Sequence, residues 1–452
     1  MAEIESTWKT EGSFIKEMGN AKLEIVAQIF VSNVPDPIVL KAQNVLEIKV
    51  VKDINEYYSR VILTIKDLSN LFAIKLDNTG NCFIALKFKD IALDIGSSGE
   101  IESEDETKVF KFAGIISKVE VLNMDSSSST VVVTAIDANA INFNKVAKFS
   151  TGTTMDVADI LKALLQSVGY NELLNLDYMK QSNSKMFYIT DMNSSTNDHI
   201  EYLLNHIIDE TNGFGFLWSN TVDNKLRIIY SNEIMRGMID ADSPNLILIS
   251  SAGASKSGDN VANKIKIYSL SSLNDMLSYF KASNLVSFDL VGNKFVTKNS
   301  DKKVHENNVW SYERMVKSYS TDKDKTIAPS ETLISLDNVK YPNDSNTFTY
   351  HIANKYEFVK KMRDGFLTND LIAVTVPGRA WRNPGELYGL LDEGATTGGR
   401  LTGKWFCSKI VDVIGNSNYE QTIFLCRGES FETTKEFVDA IKTALDAEED
   451  NK

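Results

Sequence analysis

Cysteine is scarce in this 452-residue sequence, and so are long apolar runs. There are three cysteines, Cys82, Cys407 and Cys426. The disulfide framework of a small secreted protein needs more cysteines and usually an even number of them. We therefore expect free thiols in a reducing compartment. No apolar run approaches the roughly 20 residues that a membrane-spanning helix needs. The first residues lack a basic segment followed by an apolar one, so no signal peptide is expected.

Positive charge is also in deficit. The chain has 48 Lys and Arg against 61 Asp and Glu, a formal net charge of −13. Because phosphate contacts require clustered cations, this balance argues against a general nucleic-acid binder and against a ligand of anionic membranes. The composition, 43% hydrophobic and 24% charged, is that of a globular chain and excludes a wholly disordered one. At about 150 residues per domain, the length predicts roughly three domains.

Histidine offers no metal site. Of four histidines, His199 and His206 lie seven residues apart on one predicted helix, with Glu210 four residues beyond the second. Seven residues of helix separate the two rings by about 10 Å along the axis, which is too far for one metal ion. His305 and His351 have no local ligand pattern. We therefore predict no metal site.

A glycine-rich stretch, 394–401, comes close to a phosphate-binding loop. Its first and sixth positions are glycine, but Arg400 replaces the lysine and Leu401 replaces the hydroxyl residue of the true motif. The stretch also leads into a predicted strand, whereas the motif opens a helix. No Gly-x-Ser-x-Gly motif occurs. We predict no catalytic residue, no cofactor and no enzymatic activity.

Residues 22–149 show the alternation and composition of β-strands. The predicted strands are Leu23–Val31, Val45–Val51, Tyr58–Leu68, Phe83–Phe88, Val109–Leu122 and Thr130–Asp137. Many short strands at this spacing favour a barrel or a sandwich.

The period then changes to that of helices over residues 150–240. One helix carries Val157 to Val168, with Thr153 and Asp156 as its capping signal. A second carries an apolar stripe from Ile200 to Ile208 and is closed by Gly213. A strand pair follows, Phe214–Trp218 and Lys225–Tyr230, so this region is predicted to be an α/β domain.

A second β-pattern begins near residue 241 and includes Asn263–Ser269. It resumes with Leu371–Val376, Lys404–Ile414 and Tyr419–Arg427. The polar residues between, including a helix predicted for 352–364 and ended by Gly365, interrupt it. An insertion, 270–365, within one discontinuous β-domain, 241–269 and 366–428, is the simplest account.

The C-terminal segment, 429–452, is predicted to be an amphipathic helix with an acidic tail. Thr433 and Glu436 form a capping box, and Phe437, Ile441 and Leu445 follow at a spacing of four residues. This stripe is predicted to contact another subunit or a partner, with packing on its own domain as the alternative.

Three stretches resemble the baseplate hub proteins of contractile-tailed bacteriophages, which are related to phage late control proteins and to the N-terminal part of type VI secretion spike proteins. The first runs from Phe112 through Ile116-Ser117-Lys118-Val119 to the strand Thr130–Asp137. The second runs from Asp198 to Trp218. The third contains Pro377-Gly378, Asn383-Pro384-Gly385 and Leu401-Thr402-Gly403, and ends in Tyr419-Glu420-Gln421-Thr422.

The resemblance implies a β-rich α+β fold. It has two tube-like β-barrel domains, 1–149 and the discontinuous one, with the α/β domain between them and the insertion in the second barrel. It also implies a homotrimer that presents six barrels as a ring and joins the hexameric tail tube protein to the trimeric central spike protein. Other baseplate proteins are further expected partners. Such a hub belongs to the virion tail, is assembled in the cytoplasm of the infected bacterium, and lets DNA pass through its channel without binding it specifically.

A faint internal repeat supports two related barrels. Ile116-Ser117-Lys118-Val119 matches Cys407-Ser408-Lys409-Ile410, and each precedes a polar turn and a returning strand. Two alternatives remain: a tail-associated peptidoglycan hydrolase, with 270–350 as the segment that has room for a catalytic domain, and another tail adaptor or tube component.

Overall fold

The structure is a computed structural model that describes part of the chain. The described residues are 12–18, 21–31, 36–67, 82–91, 109–125, 128–153, 155–168, 185–186, 188–191, 193–205, 207–209, 213–219, 226–239, 243–249, 260–270, 282–289, 294–299, 331–335, 363–364, 366–392 and 401–427. They form mostly β-sheet, with few helices and a curled half-barrel.

The strands are β1 (Phe14–Met18), β2 (Ala21–Val31), β3 (Ile38–Val39), β4 (Val45–Asp53), β5 (Ser59–Asp67), β6 (Cys82–Asp90), β7 (Val109–Met124), β8 (Ser129–Asp137), β9 (Met155–Asp156), β10 (Lys185–Met186), β11 (Ile208–Asp209), β12 (Gly213–Ser219), β13 (Leu226–Tyr230), β14 (Leu246–Ile249), β15 (Lys264–Ser269), β16 (Ala282–Asp289), β17 (Lys294–Asn299), β18 (Glu331–Ser335), β19 (Asp370–Pro377), β20 (Leu387–Asp392), β21 (Gly403–Ile414) and β22 (Tyr419–Arg427). The helices are α1 (Ala140–Phe143), α2 (Val157–Ser167), α3 (Thr196–Leu204) and α4 (Ser231–Met235).

A first set of six strands curls around its own core. The strands lie in the order β2-β6-β7-β8-β5-β4, with β1 and β3 added beside β2. Alternate residues point inward because side chains change face at every step along a strand. Val61, Leu63 and Ile65 of β5 are buried in this way, as are Val131 and Val133 of β8. The alternation is what fixes the pairing register, since a slip by one residue would expose the whole apolar face.

A second set of six strands has the order β14-β20-β21-β22-β19-β15. Its core includes Ile372, Val374, Trp405, Ile423 and Leu425. Within it, β20, like β14, was not among the predicted strands. The central residues of β20 are buried on both faces, so it lacks the alternation by which half-buried strands are identified.

The two sets share one strand order. Lettered a to f along the chain, each set lies in the spatial order a-d-e-f-c-b. They differ in one pairing: β2 and β6 run antiparallel, whereas β14 and β20 run parallel. Strand e is β7 in the first set and β21 in the second, and strand b is β4 in the first and β15 in the second.

The repeated Ser-Lys sequence is the same β-bulge in both sets. The β7–β8 register shifts between Ile116 and Lys118, and the β21–β22 register shifts between Cys407 and Lys409. In each case the serine is the extra residue. Its hydroxyl lies near the carbonyl of the residue that pairs with the following lysine: 3.2 Å from Ser117 to Thr134 and 3.4 Å from Ser408 to Phe424. This bulge aligns β7 with β21 residue by residue as far as Val121, where β7 has a second register shift, between Val121 and Asn123, that β21 lacks.

Two short sheets and the helices lie between the sets in sequence. β11, β12 and β13 form a sheet, and the apolar faces of α2 and α3 share a core with β12 and β13. The predicted stripe on α3 extended too far: the helix ends at Leu204, and Ile208 begins a strand. The predicted cap of α2 was also wrong, because Asp156 itself is the N-cap and accepts from the Ala158 amide.

The inserted region contains a three-stranded sheet, in the order β17-β16-β18, where the sequence indicated loops. Residues 363–364 and 366–368 are helical, whereas residues 352–362 of the predicted helix and Gly365, its predicted end, lie outside the described part. Among the described residues, no helix is both long and apolar enough to span a membrane.

Candidate functional site at the joint between the strand sets

The two sets are joined through one strand pair. β4 lies at the edge of the first set, at the end of its spatial order. It pairs antiparallel with the C-terminal part of β21, which we call the outer half of that strand, from Lys409 opposite Asp53 to Ile414 opposite Ile48. The inner half of β21 pairs with β20 on the same edge. An ion pair between Lys409 and Asp53, at 2.9 Å, lies at one end of the joint. The sets are therefore parts of one continuous sheet.

A second ion pair lies inside the joint. Lys52 of β4 and Asp412 of β21 approach to 3.3 Å, and both side chains are completely buried. The Lys52 ammonium also donates to the carbonyl oxygen of Arg382 at 2.6 Å and lies 5.2 Å from the centre of the Phe110 ring. Burial of two charges costs desolvation energy that their attraction offsets only when further polar contacts surround them.

Those further contacts exist for Asp412. Its carboxylate accepts from the Tyr419 hydroxyl at 2.9 Å and from the Gln421 side-chain amide. Gln421 in turn accepts from the Arg382 guanidinium at 3.1 Å. We call Lys52, Arg382, Asp412, Tyr419 and Gln421 the polar cluster. All five are essentially inaccessible to solvent.

Arg382 extends the polar cluster to its surroundings. It donates to the carbonyl oxygen of Pro377 and to the side chain of Asn260, each at 3.0 Å. The nearby amide of Ala380 donates to the Asp90 carboxylate at 3.0 Å, which ties the connection before β20 to the first set. Of these contacts, the one between Ala380 and Asp90 joins the two sets, whereas those of Arg382 to Pro377 and Asn260 lie within the second set and its connections.

The Pro-Gly motifs lie in this connection. The Gly378 amide donates to the Tyr419 carbonyl oxygen at 2.9 Å, and a Cβ on Gly378 would lie 2.2 Å from the Tyr419 ring. Gly385 has a φ of +81°, a backbone angle that residues other than glycine rarely adopt. The two glycines therefore let the connection pass closely against β22 and turn into β20.

Burial raises the pKa of several ionisable groups around the joint. It raises the pKa of Glu386 to about 7, although Lys52 and Arg382 oppose the shift. Burial and the neighbouring Asp412 carboxylate raise the pKa of Tyr419, which keeps its hydroxyl protonated as a donor. Burial also raises the pKa of Cys407, so this thiol is not an activated nucleophile. All three cysteines are buried thiols.

The joint is suited to holding two units together, because the side chains of the polar cluster are enclosed and are linked to one another by hydrogen bonds and an ion pair. Among the described residues, Arg382 Nε and Asp412 Oδ2 are buried atoms without a hydrogen-bond partner. In the described part of the chain, no group of three or more His, Cys, Asp and Glu could hold a metal ion. His199 is buried, and its Nδ1 lies 2.7 Å from the Tyr188 hydroxyl. His206, His305 and His351 lie outside the described residues, as do Phe437, Ile441 and Leu445.

None of the five residues of the polar cluster was predicted as a site residue, although the sequence carries a signal for two of them. Lys52 follows Val50 and Val51, and Asp412 lies between Val411 and Val413. In each strand the charge occupies a position whose period-2 neighbours, such as Val50 and Ile410, point inward. A charge at an inward position indicates a buried partner, although the sequence does not identify that partner.

No protein-family profile matches the chain, and no curated protein matches it. Among solved structures, it is similar to the 43 kDa tail protein of prophage MuSo2 from Shewanella oneidensis, with a TM-score of 0.51 and 12% identity, over 90% of this chain and 98% of that one. It is also similar to a tail protein from Neisseria meningitidis, with a TM-score of 0.49 and 10% identity over 90% and 98% of the two chains. A third similar structure is the prophage tail protein gp18 from Listeria monocytogenes, with a TM-score of 0.44 and 10% identity over 93% of this chain and 98% of that one.

The first of these similarities assigns the fold. The chain has a fold found in phage tail proteins, and the alignment extends over most of both chains. This agrees with the family that the sequence motifs resemble, at the level of the tail protein fold.

Proposed function

We propose that the chain is a structural hub of a contractile phage tail baseplate. In this proposal three copies form a ring that adapts the hexameric tail tube to the trimeric central spike and encloses part of the DNA channel. Its partners are two further copies, the spike protein, the tube protein and other baseplate proteins. It works in the virion after assembly in the infected cell, without a cofactor and without catalysis.

The observation that carries the proposal is the repeated strand order. Two six-strand sets with the order a-d-e-f-c-b occur in one chain, joined edge to edge through β4 and β21. We take each set as one tube-like domain. Three such chains in a closed ring offer six similar units to a hexameric partner and three identical chains to a trimeric one, which resolves the symmetry mismatch within one gene product.

Charge is compatible with a DNA conduit. Duplex DNA carries about one negative charge per 1.7 Å of its axis, so a basic wall would bind it and slow its passage. The net charge of −13 permits a neutral or acidic wall. We propose such a wall for the channel.

Native mass spectrometry and cryo-electron microscopy of the purified assembly test the proposal. We expect a mass of three chains and a central channel without a ring of Lys and Arg. An assembled particle that contains a single copy, or a channel ringed by cations, would contradict it. A clearing zone on a peptidoglycan gel would favour the hydrolase alternative, and an assembled mass other than three chains would favour another adaptor.

A further inference from the structure

The joint within the chain is a template for a joint between chains. It consists of strand b of one set, β4, added to the outer half of strand e of the other set, β21. Each set has its own strand b and its own strand e. The chain therefore holds a second pair of the same elements: β15, strand b of the second set, and the outer half of β7, strand e of the first.

Both of these edges lack a strand partner among the described residues. Within the described strands, β15 pairs only with β19, and β7 beyond Ile115 pairs only with β8. They also expose apolar side chains: Val121 is 46% exposed, Leu122 60%, Met124 63%, Ile267 47% and Tyr268 47%. An exposed apolar edge strand is a template for pairing with another chain, and monomeric proteins usually protect such edges.

We propose that β15 of one copy pairs antiparallel with the outer half of β7 of a second copy of this chain, in the register of the β4–β21 joint. This interface rests on the trimeric hub proposed above and supplies its contact between subunits. The occupant is a second copy because, in the described part of the chain, the strand that fits a strand-e outer half is a strand b, and β15 has the same place in its set that β4 has in the first.

The bulge gives the register. Lys118 corresponds to Lys409, so Val121 corresponds to Asp412 three residues further along. On the other strand, Val50 pairs with Val61, and Ile267 pairs with Ile372. Val61 pairs in turn with Ala135, the partner of Ile116 on β7. Ile372 pairs with Leu425, the partner of Cys407 on β21. Ile116 and Cys407 each stand directly before the extra serine of the bulge.

Ile267 therefore corresponds to Val50. Since Asp412 lies opposite Val50 in the joint, Val121 is expected opposite Ile267 in the interface.

The chemistry of the two joints differs in a consistent way. The position of Asp412 in the intrachain joint corresponds to Val121 in the proposed interface, opposite Ile267. A buried carboxylate of the intrachain joint is thus replaced by an apolar side chain. The two exposed apolar edges match each other, as a contact that forms after folding requires.

The same step, repeated, makes a ring. Within a chain, strand b of the first set pairs with strand e of the second set. Between chains, strand b of the second set pairs with strand e of the first set of the neighbouring copy. Such a head-to-tail contact is heterologous, and it closes into a ring when the rotations sum to a full turn. Six steps, two per chain, close with three chains.

Cysteine cross-linking tests the register. Val121→Cys and Ile267→Cys are combined in one chain, and the thiols are oxidised with copper phenanthroline; the native cysteines are buried and do not compete. We expect covalent dimers and trimers on a denaturing gel, none larger. A mixture of the two single variants should stop at dimers, and each single variant alone should not cross-link. The pair Val121→Cys with Lys264→Cys is the out-of-register control.

A charge placed on the edge is the second measurement. Ile267→Lys should abolish the trimer in native mass spectra while the melting temperature of the monomer is unchanged. Ile15→Lys is the matched control, since Ile15 on β1 is 55% exposed and lies on neither edge. A trimer that survives Ile267→Lys and fails to cross-link would overturn this interface but leave the hub intact. A wild-type chain that stays monomeric would overturn both.

Discussion

Lys52 and Asp412 form an ion pair at 3.3 Å with both side chains fully buried, although they belong to different strand sets. A buried pair of this kind is weak evidence for stability, because the desolvation of two charges offsets most of their attraction. Its consequence is geometric. A slip of β21 against β4 would leave two charges unpaired in the interior, so the pair favours one register of the joint over its neighbours.

Removal of one member of this pair should be costly. Lys52→Met leaves the Asp412 carboxylate buried without its cation, and we expect the free energy of unfolding to fall by about 3–5 kcal/mol. Lys52→Met combined with Asp412→Leu should lose less than the sum of the two single losses, since no lone charge then remains, although Tyr419 and Gln421 lose their acceptor. Urea unfolding of the four proteins gives the coupling energy. A double variant that loses the sum of the single losses would show that the two charges act independently.

The exposed pair in the same joint provides the control. Lys409 and Asp53 are 32% and 14% exposed. Lys409→Met should therefore cost no more than about 1 kcal/mol, the range of surface ion pairs, and its effect should shrink in high salt. A loss equal to that of Lys52→Met would mean that position in the strand pair, and not burial, sets the cost.

Stability should fall as the pH rises through neutrality. The pKa of Glu386 is raised to about 7, and burial raises the pKa of Asp137 to about 6. An acid with a raised pKa in the folded state binds its proton there and releases it on unfolding. Its stabilisation is therefore complete below the unfolded pKa near 4.5 or 3.8 and is lost as the pH rises through the folded value.

Each unit of pKa difference corresponds to about 1.4 kcal/mol, and the partial exposure of Glu386 makes the full difference an upper bound. Melting temperatures between pH 5 and 8 measure the slope. Glu386→Gln keeps the shape of the side chain and removes its titration, so the slope should flatten. Glu17→Gln is the control, because Glu17 is an exposed group whose pKa is lowered by Lys22, and it should leave the slope between pH 5 and 8 unchanged.

Gly378 should not tolerate a side chain. A Cβ at this position would lie 2.2 Å from the Tyr419 ring, and the ring is held by the hydroxyl bond to Asp412. Overpacking of this kind typically costs about 1–3 kcal/mol, so Gly378→Ala should lower the free energy of unfolding by a similar amount. A Cβ at Gly415, in the turn between β21 and β22, would meet the side-chain oxygen of Asn418 at 3.3 Å and its carbonyl oxygen at 3.7 Å, so Gly415→Ala should be nearly neutral. Equal losses for the two variants would refute the role given to the close contact.

The strands of the first set were predicted within a few residues of their observed bounds. Val45–Val51, for example, is part of β4 (Val45–Asp53), and Phe83–Phe88 is part of β6 (Cys82–Asp90). Such strands can be predicted because alternation is a local signal. β20 lacks that alternation, and β16, β17 and β18 lie in a polar region, so these four strands were not predicted.

The candidate site was not predictable in the same way. Lys52 and Asp412 meet only because β4 and β21 are neighbours, and a single sequence does not specify which distant strands pair. Where a local signal did exist, it was informative. The repeated Ser-Lys sequence marks a bulge at the same place in both sets. A bulge is a specific local structure, so equivalent bulges can carry similar residues.

The C-terminal segment, which lies outside the described residues, provides a further prediction about assembly. Phe437, Ile441 and Leu445 repeat at a spacing of four residues and would form one apolar stripe on a helix. Burial of each large apolar side chain contributes about 1.5–3 kcal/mol, so a stripe that contacts a neighbouring subunit or the spike should matter for assembly.

Deletion of residues 430–452 should therefore weaken the oligomer in native mass spectra while circular dichroism and the melting temperature of the monomer stay unchanged. Replacement of Glu448, Glu449 and Asp450 by glutamine or asparagine is the matched control: it changes the tail and keeps the stripe, and it should leave assembly intact. If the truncated chain unfolds, the helix belongs to the core of its own domain. A truncated chain that assembles as the full chain does would show that the apolar stripe is not needed for assembly.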